Sequence, residues 1–518
     1  MTSFYQELNQ SGKMSDEKEN AQSRAGIDKW IFRLLLLLIG VMPLIVLANI
    51  EQVVSPLISN IDVLSSGAKG DLFTHYKALF VIVITVITGV MLLAKVFFMD
   101  GKIRKTPMNY AIGLFAFAII ISTVFSPNIT VALNGQYNRS DGAISWLCYL
   151  ALMFIAMNIE YPKNVVKYIM YALMPFVFIN LFIITMNFYG KDLLQYEWMQ
   201  SLVSMALPEG ASISEGSTLV GTLNQWNYMS GMFAIMTVMY LAWAFIEKSM
   251  INTVVSAITA AVSISVMFMS ISTNGFLTVT VSLIVLIVIA IKSPVKKNMA
   301  VGLLLFVVIT MPVFHILATE NEQVWDESFG FILGGNPYKK VEKTNVSFDD
   351  LLGSKAYASD QILELPILPE QGWSPGSGRF YIWEKSADLV KERPIVGYGL
   401  DTLIYNFPHF NIDARGGNNS ESTIVDKAHN VYVTILYGTG IFGALAFLII
   451  LVGSVLVGLK QIVLKNNLIL GPLVAVIVAY STQALFNDSL PGITAVIFVL
   501  IGILFGIQKE EGKTQAND

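Results

Sequence analysis

The chain has 518 residues, 54% of them hydrophobic and only 14% charged, with a net charge of −4 and a mean hydropathy of +0.61. Soluble domains carry about 25% charge. Here the apolar residues come in blocks of about 20, the length that crosses about 30 Å of hydrocarbon. A soluble globular protein is thereby excluded, and the single cysteine, Cys148, can form no internal disulfide.

In chain order, residues 1–29 are polar, mixed in charge and without apolar periodicity, which predicts a disordered cytoplasmic tail. They lack the early apolar core and small-residue cleavage site of a signal peptide. Membrane helices are expected over residues 30–50, 78–99, 108–125, 143–158, 165–187, 226–246, 252–269, 276–291 and 299–318. A long polar segment, 319–428, follows. Three further helices are expected within 429–507, and residues 508–518 form a short tail. The fold class is therefore all-α, a polytopic bundle of about twelve transmembrane helices with one large extracytoplasmic loop containing short helices.

Basic residues collect in alternate loops. With the N-terminus inside, the inner loops hold Lys102, Arg104 and Lys105; Lys163 and Lys167; Lys248; Lys292, Lys296 and Lys297; and Lys460 and Lys465. Residues 51–77 and 189–225, on the other side, are poorer in Lys and Arg. The positive-inside rule then places both termini in the cytoplasm and the segment 319–428 outside.

Within that segment, Phe380, Trp383, Ala387 and Val390 recur at three- and four-residue steps, predicting a helix laid apolar side down on the bundle and stopped by Pro394. Arg379 opens this helix, where a cation opposes the helix dipole. Beside the glycine turn Gly376-Ser377-Gly378 it can grip an anionic phosphate; an arginine reaching toward lipid headgroups is the other reading. His429 opens the next span, and His429, Val433, Leu436, Gly440 and Gly443 fall on one helical stripe, whose glycines admit a close neighbour. An imidazole, with an ordinary pKa near 6.5, can take a proton from a hydroxyl; for the residue alone, a histidine anchoring the helix at the interface is the simpler reading.

Taken together, Arg379-x-x-x-Trp383, the string Pro394-Ile395-Val396-Gly397-Tyr398-Gly399, and His429-Asn430 followed by nine residues, Gly440, two residues and Gly443 resemble the O-antigen ligase and polymerase family of membrane glycosyltransferases. The resemblance implies a polyprenyl-diphosphate-linked glycan donor, a glycan or lipid-glycan acceptor, the lipid bilayer as setting, and no nucleic-acid partner. It also implies a metal-independent inverting transfer at the outer face of a bacterial cytoplasmic membrane, in surface-polysaccharide synthesis, without a cofactor. Carried over, His429 is the base on the acceptor hydroxyl, with Asn430 beside it, and Arg379 binds the diphosphate.

Arg139, in Gly135-Gln136-Tyr137-Asn138-Arg139-Ser140-Asp141-Gly142, and Asn224 and Asn227, after Gly221-Thr222, are similar to weaker family features. Asp141, Asn224 and Asn227 also read as simple helix caps. One departure stands out: many members carry a second arginine where this chain reads Ser270-Ile271-Ser272-Thr273-Asn274-Gly275. Arg139 or Arg415 must then supply that charge, Arg139 being favoured, or the diphosphate is held more weakly. Asp401, Asp413, Glu421 and Asp426 read as solvated loop charges, although Asp426 is close enough in sequence to orient His429. No metal-ligand spacing is visible in the outer loops. A lipid-linked-glycan flippase or transporter, or a scaffold with an outer domain, remains as the rival; neither requires His429.

Overall fold

The computed structural model describes residues 2–59, 61–213, 217–223, 225–339, 378–409 and 424–508, with side chains from residue 16 onward. The expectations for Asn224, Arg415, Asp413 and Glu421 lie outside these residues. Among the described residues the architecture is helical, with one two-stranded antiparallel ribbon.

The first helix, α1, runs over Thr2–Val41, so the expected disordered tail is helical instead. The apolar stretch from Trp30 carries the helix onward, but it stops short of residue 50. A 3-10 turn at Met42–Leu44 ends it, and the chain enters β1 (Asn49–Val53), paired with β2 (Gly67–Asp71). Then follow α2 (His75–Phe98), α3 (Pro107–Val124), α4 (Ile129–Asn134), α5 (Ala143–Met157), α6 (Val165–Phe188) and α7 (Glu197–Val203). Next come α8 (Trp226–Ile246), α9 (Met250–Met269), α10 (Thr273–Lys292) and α11 (Lys296–Glu320), with two short turns, α12 (Gln323–Asp326) and α13 (Phe329–Leu333). The loop contributes α14 (Arg379–Glu392) and α15 (Leu403–Asn406). The chain closes with α16 (Val431–Val463), α17 (Gly471–Gln483) and α18 (Pro491–Gly506).

Eight of these helices are long and apolar enough to cross a membrane. The shorter apolar α5, α17 and α18, with the apolar end of α1, complete the twelve expected segments. At 1.5 Å per residue a 13-residue helix such as α17 spans only about 20 Å. It need not match the bilayer, because it packs against α8, α10 and α16 inside the bundle. All of α18 is buried, as is nearly all of α8, and α18 lies against α5. The lipid-facing helices α2, α10 and α11 expose Leu79, Val86, Ile284, Leu304 and Val308, which sets the core at the centre of the bundle rather than at its lipid face.

The helices alternate in direction, so their ends form two rims. One is basic. There Lys95 of α2 pairs with Asp28 of α1 at 2.7 Å, Arg104 N–H donates to Asn158 at 2.7 Å, and Ser293 Oγ donates to the Phe245 carbonyl at 2.6 Å. The other rim gathers the starts of α2, α5, α8, α10, α16 and α18. Lys77 Nζ donates to the Thr222 carbonyl at 2.7 Å, Ser230 Oγ to the Ser272 carbonyl at 3.1 Å, and Val431 N–H to the Ala484 carbonyl at 2.8 Å. The described loop residues 378–409 and 424–428 sit on this second rim.

Candidate functional site

The site is assembled where α16 begins. Asn430 caps that helix, its Oδ1 accepting from the N–H groups of Tyr432 and Val433 at 2.9 and 3.2 Å. The side chain is buried and its Oδ1 serves the helix end. His429 stands just before the cap in the left-handed region, at φ 50°. It is therefore not the first residue of a helical stripe, and the imidazole is aimed by a turn.

Gly440 breaks the expected stripe as well. Its φ of 69° and ψ of −173° interrupt α16, a conformation open only to glycine. The break leaves the Tyr437 and Gly438 carbonyls without their helical partners. The loop Pro394–Gly399 fills the gap: Tyr398 and Gly399 donate their N–H groups to those carbonyls at 3.0 and 2.9 Å, and Ile441 N–H donates to the Pro394 carbonyl at 2.9 Å. The two glycine-rich strings seen in the sequence are thus two sides of one joint. Gly443 serves the expected close approach, with Ala118 of α3 at its face.

Helix α14 docks on this joint, but with a different face from the one expected. Tyr381, Ile382 and Ser386 are buried, while Phe380 is 51% exposed and Ala387 is exposed. Both stripes are apolar at helical spacing. The choice falls to the loop's own core of Tyr398, Leu403, Phe407, Val425 and Ala428, against which Tyr381 and Ile382 pack. Trp383 bridges the two parts by donating Nε1–H to the Ala428 carbonyl at 2.8 Å.

The rotation leaves Arg379, at the first position of α14, reaching the loop between α17 and α18, where it donates to the Phe486 carbonyl at 3.0 Å. Burial lowers its pKa below the ordinary guanidinium value, and the nearby Asp488 carboxylate opposes that. His429 reaches the same loop two residues on: Nδ1 lies 2.9 Å from Asp488 Oδ2. Burial alone would raise the Asp488 carboxyl, but His429 and Lys427 outweigh it and hold it well below the usual carboxylate range. An ionised carboxylate can only accept, so Nδ1 donates in this bond and Nε2 is the nitrogen turned away from Asp488. Tyr228 Oη donates to the same oxygen at 3.4 Å and accepts from Lys427 Nζ at 3.0 Å. Burial lowers the Lys427 pKa from its ordinary value, with Arg139 close by adding to the effect.

Arg139 is placed differently from the expectation that it grips diphosphate. Its Nε and Nη1 bond Asp401 and Asp426, each at 2.7 Å, and Nη2 bonds the Asp426 carbonyl at 3.2 Å. Those two carboxylates, read from sequence as solvated, outweigh the burial that would lower the guanidinium pKa and raise it above its ordinary value. Arg139 is thus a clamp that fastens the loop to the start of α5. Its charge is already balanced. Asp426 serves that clamp, and Asp488, not Asp426, orients the imidazole.

Asp141 does not cap α5; it accepts from Ser489 Oγ beside Asp488, and burial with the nearby Asp401 charge pushes its carboxyl up to about 8. A cavity of about 20 Å³, room for one water, lies among Arg139, Asp141, Asp401, Lys427 and Asp488. Neither His429 nor Arg379 lines it; both reach the 486–488 loop, Arg379 at Phe486 and His429 at Asp488. Asn227 is not a cap either. It accepts from Ser272 through Oδ1 and from Asn274 and Asn487 through its carbonyl, lacing three helix starts together. At the turn 270–275, Glu327 accepts from Thr273 N–H and Oγ. Among the described residues no cluster of His, Cys, Asp and Glu suited to a metal ion occurs.

Residues 258–448 match the family model described as O-antigen ligase. This part of the chain belongs to the O-antigen ligase family. Comparison with curated proteins gives no match. The O-antigen ligase region holds Arg379, His429, Gly440 and Gly443, and makes the chain a multi-pass membrane protein of the glycan-transferring enzymes that build surface polysaccharide. Asp488, Tyr228, Arg139 and Asp141 lie outside the matched residues, in helix starts that only folding brings to His429. Sequence reasoning missed Asp488 and Lys427. The signal for Asp488 was a lone acid between two apolar helices, where a charge demands a partner.

Proposed function

We propose that the protein transfers or polymerises polyprenyl-diphosphate-linked glycan units at the outer face of a bacterial cytoplasmic membrane. The observation that carries this reading is the His429–Asp488 pair at 2.9 Å, with Arg379 held two residues along the same loop. The sidedness follows from charge: the rim opposite the site holds Lys102, Arg104, Lys105, Lys163, Lys248, Lys292, Lys296 and Lys460, which the positive-inside rule places in the cytoplasm.

In the proposed step, His429 Nε2 takes the proton of an acceptor hydroxyl as its oxygen attacks the anomeric carbon. The bond from that carbon to the diphosphate oxygen breaks, and its electron pair leaves with the diphosphate. Asp488 steadies the imidazolium that forms, as an acid does behind a histidine base. Arg379 sits within reach of the same loop and neutralises charge growing on the leaving group. Attack from the face opposite the leaving group inverts the anomeric centre.

The test is the chain length and amount of surface glycan in cells carrying His429→Ala or Arg379→Ala at normal protein levels. Loss of a positioned base costs about 10²–10⁴-fold, so glycan should fall to background with His429→Ala. Unchanged glycan would overturn the proposal. Purified protein given a lipid-linked repeat unit then separates the two family activities: a ladder means a polymerase, and a single transfer to a separate acceptor means a ligase.

A further inference from the structure

A second site lies on the far side of the Arg139 clamp. Two cavities, of about 380 and 220 Å³, share the residues Glu51, Asn134, Gly135 and Gln136 and so form one groove. The first is the size of a small-molecule pocket and opens on the outer rim between β1 and α4. Its walls present Gln52, Asn128, Asn134, Gln136, Tyr137 and Tyr405. Such amides and phenols match the paired donors and acceptors of sugar hydroxyls, with tyrosine faces for the ring's C–H groups. The second cavity runs down between α2 and α5, past Ala78, Leu79, Ile82 and Ile144. Leu79 is 48% exposed on a membrane-crossing helix, so this end opens to lipid.

Gln136 makes the groove a built site. It lines both cavities and is only 4% exposed, yet its Nε2 has no hydrogen-bond partner among the described residues. A buried amide left unmet is costly; Nε2 has almost no accessible surface as it stands, so a sugar hydroxyl meets it once the side chain turns toward the groove. Its backbone is fixed, since the Gln136 N–H donates to Asp401 at 2.6 Å. Charge selects the ligand. Among the described residues no Lys or Arg lines either cavity, and Glu51 stands where the two meet. A diphosphate between lipid and sugar would face that carboxylate; Lys69, opposite Glu51 in the ribbon, lines neither cavity, and His75 is the one basic side chain among the residues lining them.

We propose that the groove binds a neutral glycolipid, its uncharged sugars against Gln136 and Tyr405 and its chain along Leu79 and Ile82. Resting on the glycosyltransferase reading, this is the acceptor side, with the diphosphate-bearing donor on the His429 side. Asp401 ties the two together, bonding Gln136 on one side and Arg139 on the other.

The probe is an alkyl maltoside bearing a diazirine on its chain, photolysed with the full-length protein in nanodiscs and mapped by peptide mass spectrometry. Labels are expected in 75–82 and 128–145, displaced by decyl maltoside but by neither decyl phosphocholine nor inorganic diphosphate. Gln136→Leu should cut labelling about fivefold, the worth of one hydrogen bond. Ile82→Trp, which fills the lipid end without touching the polar wall, should do the same and guards against a folding defect in the first variant. Labels scattered evenly over lipid-facing helices, or equal displacement by decyl phosphocholine or diphosphate, would overturn the proposal. Labelling is read without any transfer reaction, so its outcome stands apart from the His429→Ala glycan test.

Discussion

Gly440→Ala is the substitution on which the joint between loop and bundle can be weighed. A Cβ at Gly440 would stand 2.2 Å from the Ile395 carbonyl oxygen and 2.8 Å from that of Pro394. Both are backbone atoms and cannot swing away. Its φ of 69° with ψ of −173° adds about 1–3 kcal/mol of strain for any side chain. The alternative is to straighten α16, which strips the three bonds joining it to Pro394, Tyr398 and Gly399, each worth about 1 kcal/mol net. Either route costs about 3 kcal/mol, a shift of about 100-fold between docked and undocked loop. With the loop adrift, Arg379 leaves the 486–488 loop. Thermal unfolding of purified protein and surface-glycan amount should both show the loss. Gly113→Ala is the control: it lies within α3 with nothing inside 4 Å of its added Cβ, so it should be neutral or stabilising by up to about 1 kcal/mol. A Gly440→Ala protein with ordinary stability and glycan output would refute the reasoning.

Three other outcomes follow from the site. Asp488→Asn keeps the shape but lets the imidazole adopt either tautomer, so glycan transfer should fall at least about 10-fold with folding retained; transfer at the parent rate would show that the pair is not used. Arg139→Met leaves Asp401 and Asp426 facing each other without their cation, a change of about 3–5 kcal/mol for a buried pair, read as a lowered unfolding temperature; the double variant Arg139→Met with Asp401→Asn should recover part of it. Asp141 gives a pH dependence. Its folded carboxyl titrates near 8 against about 3.9 unfolded, so its contribution to stability is fully present below pH 4 and is lost as pH rises toward 8. Unfolding temperature should therefore fall over that window, and Asp141→Asn should flatten the slope; an equal slope in both proteins would rule Asp141 out as its source.

Much of this protein was written in its sequence, because a bilayer imposes simple rules. Apolar blocks of fixed length gave the helices, and alternate basic loops gave the two rims, since hydrocarbon tolerates neither unpaired backbone nor stray charge. Arg379, His429, Gly440 and Gly443 were visible as a spaced pattern within one stretch of chain. What they do to one another was not. Gly440 looked like a packing glycine and is a break in a helix, a distinction that lies in its φ and ψ. The α14 face could not be chosen from two overlapping apolar stripes, because the decision belongs to Tyr398, Leu403 and Val425 across the loop. Arg139 looked like a free cation until Asp401 and Asp426 closed on it, from 262 and 287 residues away. Asp488, 59 residues from His429, became its partner only when α17 folded back against α16. Periodicity is a local property and survives in a sequence. Charge pairing in a low-dielectric rim is decided by which helix ends meet, and that is settled only in three dimensions.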